Sequence, residues 1–132
     1  MSVEFRNPKG VPKPISDYSQ VAIVPSGTKL LFVSGQVALD ENGALEGKRD
    51  AAALTEQILK NIRRILQDAG GDISSVVSWT WYFTNMDDRV KVLELRKRVL
   101  AGHAPASTGI EVSRLAMPDW LVEIECVASI KG

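Results

Sequence analysis

Apolar residues in this chain alternate along short stretches and recur at helical spacing between them, and the change of period marks out the elements. Val21-Ala22-Ile23-Val24 and Leu30-Leu31-Phe32-Val33-Ser34-Gly35 flank the turn Pro25-Ser26-Gly27, which predicts a β-hairpin. Ahead of it, Pro8, Gly10, Pro12 and Pro14 make residues 5 to 18 an extended, loop-like arm. Gly35 marks a bulge or a close backbone approach, and Asp40-Glu41-Asn42-Gly43 a turn. Asp50 is the N-cap of a first helix whose stripe is Leu54, Ile58, Ile62, Ile65 and Ala69, closed by Gly70-Gly71.

Val76 to Phe83 reads as a strand, with Val77, Trp79, Trp81 and Phe83 on one face and Ser78, Thr80 and Tyr82 on the other. Asp87 or Asp88 caps a second helix that reaches about Leu100 and ends at Gly102. Two strands finish the chain. In residues 107 to 114, Thr108, Ile110 and Val112 share a face opposite Ser107, Gly109, Glu111 and Ser113. In residues 121 to 130, Val122, Ile124, Cys126, Ala128 and Ile130 are the apolar face. The order strand, strand, helix, strand, helix, strand, strand fits a single α+β domain over residues 1–132, with two helices on one face of a sheet. The other sheet face then carries Trp, Leu and Val beside Glu, a mixture that predicts burial against another copy of the chain.

Composition narrows the functional classes. At 132 residues, with 45% hydrophobic and 24% charged residues, the chain has the make-up of an ordinary globular domain. Zero formal net charge gives no general attraction to nucleic acid or to anionic membrane. The N-terminus lacks a basic start and an apolar run, and no stretch approaches the roughly 20 apolar residues of a membrane span. A single cysteine fits a reducing compartment, so the expected location is cytoplasmic. One histidine and one cysteine make no metal-ligand set, and neither a metal nor another cofactor is expected.

Against that background the motifs are informative. Ile15-Ser16-Asp17-Tyr18-Ser19-Gln20, Phe32-Val33-Ser34-Gly35-Gln36, the helix elements Gln57 to Ile62 and Ala69-Gly70, Val76 to Asp88, Pro105-Ala106 and Val122-Glu123-Ile124-Glu125 occur in that order. Together they resemble the RidA/YjgF family of small trimeric proteins along essentially the whole chain. The resemblance implies a chorismate-mutase-like fold, a homotrimer and small-molecule clefts between subunits. In active members the cleft hydrolyses enamines and imines of 2-amino acids to 2-keto acids and ammonia. An arginine holds the substrate carboxylate, and the first glutamate of the VEIE element orients water. By that resemblance Tyr18, Ser34 and Gly35 are ligand-binding positions and Glu123 the catalytic one. Ser16-Asp17 replaces the family's Gly-Pro, and Leu93 and Arg96 stand where Asn and Tyr are frequent.

The decisive departure is Ser107, a ligand-binding position where the family has its arginine. A guanidinium gives a carboxylate two parallel charge-assisted hydrogen bonds, and a serine offers one neutral donor with shorter reach. At about 1.5–3 kcal/mol per bond to a charged group, the loss amounts to roughly tenfold to several hundredfold in binding. It also leaves Glu111, Glu123 and Glu125 less compensated if they share that face. The expected function is therefore a small-metabolite cleft without efficient 2-imino acid deamination. The alternative is a hydrolase or deaminase acting on an imine, enamine or related metabolite, with Glu123 orienting water.

Substitutes for the arginine are few. Arg114 shares parity with Ile110 and Val112 and is sent to the other face. Arg96 has the better geometry, although Arg89, Lys91, Arg96, Lys97 and Arg98 read first as a hydrated helix surface. His103 reads as a loop residue, Cys126 as a small buried hydrophobe, and Glu125 as structural. The nucleic-acid role suggested by family labels such as endoribonuclease finds no support in the charge or in the lone histidine.

Overall fold

The computed structural model describes residues 2–132. Its strands and helices are β1 (Glu4–Arg6), β2 (Val21–Ile23), β3 (Thr28–Gln36), α1 (Ala51–Asp68), β4 (Val76–Phe83), α2 (Asp88–Leu100), β5 (Ala106–Glu111) and β6 (Val122–Lys131), with a short 3₁₀ turn at Ile73–Ser75. The main sheet has the order β3-β6-β4-β5. β6 runs antiparallel to β3 and to β4, whereas β4 and β5 are parallel, joined through α2 as a parallel pair requires. This is the mixed-sheet α+β architecture expected.

The predicted hairpin is not formed. β2 pairs with β1 in a separate two-stranded sheet, so the arm contributes a strand, while β3 joins the main sheet against β6. A chain turn between two apolar runs does not by itself choose the partner. β6 offers β3 a longer ladder, from Thr28 opposite Lys131 to Gln36 opposite Ile124, with a register shift that brackets Gly35.

Both helices pack on the same sheet face. Asp50 caps α1 by accepting from Ala52 and Ala53 N–H groups, and Gly70 ends it at positive φ. Leu54, Ile58, Ile62 and Leu66 are the buried stripe; Ile65, placed there by spacing, is 40% exposed because Leu66 holds the core position. At α2 the N-cap residue Asp87 makes no side-chain cap, and Asn85 Oδ1 accepts its N–H instead at 2.9 Å. The core side of the sheet carries Trp79, Trp81 and Phe83 of β4 with Val122, Ile124, Cys126 and Ala128 of β6. The Trp79 and Trp81 rings meet edge to face at 5.1 Å. Val76 joins this cluster in place of Val77, because the β4–β6 register shifts between Val76 and Ser78.

Among the described residues, no layer covers the opposite sheet face. It bears Leu30, Phe32, Thr80, Tyr82, Ile110, Glu123, Glu125 and Val127, and Phe32 is 77% exposed. The expected mixture of apolar residues and glutamates is there, but without tryptophan: both Trp79 and Trp81 lie on the helix-covered side. β5 is shorter than residues 107 to 114 and ends at Glu111.

Candidate functional site

A cavity of about 80 Å³ lies where the N-terminal arm crosses α2, β4 and β5. That is room for several water molecules or a ligand of few atoms. Ser16 and Tyr18 come from the arm, Trp81 and Phe83 from β4, Ser107 and Gly109 from β5, and Arg89, Leu93 and Arg96 from α2. The arm is pinned next to β5 by Ser19, whose N–H donates to Pro105 O at 3.2 Å and whose hydroxyl donates to Ala104 O at 2.6 Å. Ser107 faces this cavity because the parallel register sets it beside Trp79, on the core side of the sheet.

Arg96 enters the site from the helix. One Nη2 donates to Asp17 O at 2.9 Å and to Ser107 Oγ at 3.1 Å. Its guanidinium carbon lies 5.3 Å from the ring centroids of both Trp79 and Trp81. Burial presses its pKa below the ordinary arginine value, Asp17 opposes that shift, and Arg89 adds to it. A guanidinium starts so high that it stays charged. The reading of Arg96 as part of a hydrated surface therefore fails: helical periodicity located its face correctly but not the arm and β5 that cover it. The expectation of a cleft stripped of counter-charge at Ser107 fails with it. Because Ser107 accepts from Arg96, its own hydroxyl hydrogen is left to donate into the cavity. Among the described residues, Arg96 Nε and Trp81 Nε1 are buried donors without a partner.

The remaining expected site residues form a second cluster. Glu123 is paired opposite Tyr82 and Glu125 opposite Thr80, so both project from the uncovered face, away from Ser107. Glu111 shares the parity of Ser107 and accepts the Met86 N–H at 2.9 Å; the three glutamates do not share one face. A Cβ at Gly35 would overlap the Glu123 carboxylate, so the glycine is what admits that side chain against β3. Burial, and then Glu125, push the Glu123 carboxyl above its usual range. Ser34 lies exposed in the same irregular stretch of β3. Glu125 accepts the Tyr82 hydroxyl at 2.6 Å, a structural use that also raises the tyrosine pKa.

Two other candidates resolve simply. The His103 ring Nε2 lies 2.6 Å from Val76 O and the ring meets Phe5 edge-on, stapling the loop to the sheet. Cys126 is buried, its thiol pushed up to about 11 by desolvation. Among the described residues, no group of three or more His, Cys, Asp or Glu is placed to hold a metal ion, and no helix is long and apolar enough to cross a membrane.

Tyr18 and Ser107 thus meet in one cleft, while Ser34, Gly35 and Glu123 meet in another part of the same chain. Arg96, weighed as a stand-in but read first as a hydrated surface residue, lines the first cleft with Arg89, Gly109 and the Trp81 indole, which were not expected there. The signal for the first three was present: Arg89, Leu93 and Arg96 share one helix face, and Gly109 shares the parity of Ser107.

The profile of the Endoribonuclease L-PSP family matches residues 9–130. A RutC family protein of Pyrococcus horikoshii is 37% identical over 120 residues, 91% of this chain and 92% of that one. A rat protein named 2-iminobutanoate/2-iminopropanoate deaminase is 32% identical over 117 residues, 89% of this chain and 82% of its own. In three dimensions, a Rid family protein of unknown function from Yersinia pestis superposes with a TM-score of 0.89 at 30% identity, covering 98% of this chain and 100% of that one. Matched along nearly its whole length in sequence and in fold, the chain belongs to the Endoribonuclease L-PSP family, the RidA/YjgF group that its motifs resemble.

Proposed function

We propose that the protein hydrolyses an imine or enamine carrying a carboxylate to the corresponding 2-oxo acid and ammonia. The observation that carries this reading is the Arg96 guanidinium on Ser107 in the cleft, a charge supplied from α2 where the strand has none. With a 2-iminium acid bound, the carboxylate accepts from Arg96 and from the Ser107 hydroxyl, and Tyr18 covers it. An enamine first takes a proton at carbon to become the imine. Water then adds to the C=N carbon and yields a proton to the base, which passes it to the nitrogen of the carbinolamine. The C–N bond breaks as the hydroxyl proton goes to solvent and C=O forms, releasing ammonia. Glu123 is the base, made more basic by its raised pKa.

Because Glu123, Ser34 and Gly35 point away from Ser107 within one protomer, the complete site needs these groups from a neighbouring copy. The uncovered sheet face with Phe32 is the surface on which copies would pack, in the homotrimer that the family resemblance implies. We place the protein in the cytoplasm, where its lone cysteine stays reduced.

The test is to generate 2-iminobutyrate in situ and follow 2-oxobutyrate release. Acceleration above buffer supports the reading, and release at the buffer rate from this imine and from the imine of aspartate alike overturns it. The separation of Glu123 from Ser107 favours a second reading, binding without turnover. Calorimetric binding of 2-oxobutyrate with no catalysed release would establish that reading instead.

A further inference from the structure

Arg96 shares its cavity with a second cation. Arg89 lines it from the same helix, about two turns ahead, with Leu93 between them. The lining residues with polar side chains are Ser16, Tyr18, Trp81, Arg89, Arg96 and Ser107, and among the described residues no Asp or Glu lines it. Among the described residues neither guanidinium has a carboxylate within ion-pair distance, the ion pairs being Arg6–Glu4, Arg49–Asp119, Arg63–Asp72 and Lys91–Asp88. Asp17 gives Arg96 its backbone oxygen and its carboxylate acts on Arg96 only from beyond ion-pair distance, while Glu111 accepts from the Met86 N–H and Asp88 pairs with Lys91. The Arg89 charge also helps to hold the Arg96 pKa below the ordinary arginine value.

A monocarboxylate neutralises only one of these charges. From the paired guanidinia and the acid-free lining we infer that the cleft selects a ligand with two carboxylates, the imine or enamine of a short dicarboxylic amino acid. The carboxylate next to the C=N carbon lies on Arg96 and Ser107, and the distal one reaches Arg89. The small cavity keeps the chain between them short. The inference rests on the imine-hydrolysis reading of the same site and names its substrate class. The chemistry is unchanged: water adds to C=N and ammonia leaves, giving an oxo diacid.

The test compares the imines of aspartate and of 2-aminobutyrate, each produced in situ by an amino-acid oxidase. The expected kcat/KM for the aspartate imine is higher by about tenfold or more, the effect of one further charge-assisted pair. Arg89→Gln is expected to lower the ratio of the two by about tenfold, and Arg89→Lys to retain most of it. A ratio of one or less, or one that Arg89→Gln leaves unchanged, overturns the inference while hydrolysis of either imine upholds the reading beneath it. If neither imine is hydrolysed, that reading fails and calorimetry with succinate and butyrate decides the ligand class: succinate binding no tighter than butyrate overturns the inference too.

Discussion

Arg96→Met separates binding from folding. The substitution keeps an unbranched apolar stem as far as the position of Nε and removes charge, two hydrogen bonds and the stacking on Trp79 and Trp81. The two bonds contribute about 1.5–3 kcal/mol each when a charged donor is involved, and the cation–π contacts about 0.5–2 kcal/mol. Opposing them is the desolvation of a largely buried guanidinium without an acid partner, several kcal/mol. The buried Nε without an acceptor costs about 1–3 kcal/mol more. The terms nearly cancel, so Arg96→Met is expected to unfold in denaturant within about 1 kcal/mol of the parent, a Met filling the space between the rings. Binding has no such compensation. A carboxylate loses a charge-assisted contact of about 1.5–3 kcal/mol, and KM for an imino acid rises roughly tenfold to a hundred-and-fiftyfold. The measurements are urea unfolding and the initial rate of oxo-acid release against imine concentration. A loss of more than about 3 kcal/mol in stability with KM unchanged would refute the argument, because Arg96 would then be holding the arm and not a ligand.

Ser107→Arg, which restores the family's residue, is expected to lower both stability and activity. The new guanidinium would enter a space where Arg96 already contacts position 107, and two like charges would share one buried wall. A rise in kcat/KM on 2-iminobutyrate would count against Arg96 as the anchor. Glu123→Gln tests the raised carboxyl. A folded-state pKa above the unfolded one means that the folded protein holds this proton more tightly, so its contribution to stability is full below the usual carboxylate range and is lost as pH rises through the raised value. The variant, with nothing to ionise, is expected to be the more stable protein at pH 7 and to lose that advantage at acid pH. Unfolding curves at both ends would show it, and an advantage that grows towards acid pH would contradict the sign.

Much of this geometry was readable from the residues. Period two placed Trp79, Trp81 and Phe83 together, and the i, i+4 spacing of Leu54, Ile58 and Ile62 defined the buried face of α1. What failed were choices that depend on a partner distant in sequence. The turn at Pro25 to Gly27 is local, but β2 finds β1 and β3 finds β6 by ladder length and burial. Val77 and Ile65 were misplaced by one residue each, since a bulge or the next helical position exchanges neighbours without changing composition. Parity within one strand could not relate Ser107 to Glu123. That relation runs through two registers, β5 to β4 and β4 to β6, and these set the two residues on opposite faces.

The same reasoning bears on the missing arginine. A motif assigns chemistry to a backbone position, whereas a ligand meets only the end of the side chain. Arginine carries its charge at the tip of a long flexible stem, so a helix packed over a strand can deliver a guanidinium to a point the strand would otherwise serve. Here the two solutions exclude each other sterically, because Arg96 Nη2 sits on the hydroxyl of residue 107. A small residue on β5 is then what a helix-borne arginine requires, and Ser107 adds a hydroxyl that both accepts from the guanidinium and donates onward. Under the proposed reading, the charge that meets an anion in this cleft depends on positions 96 and 107 together, and not on position 107 alone.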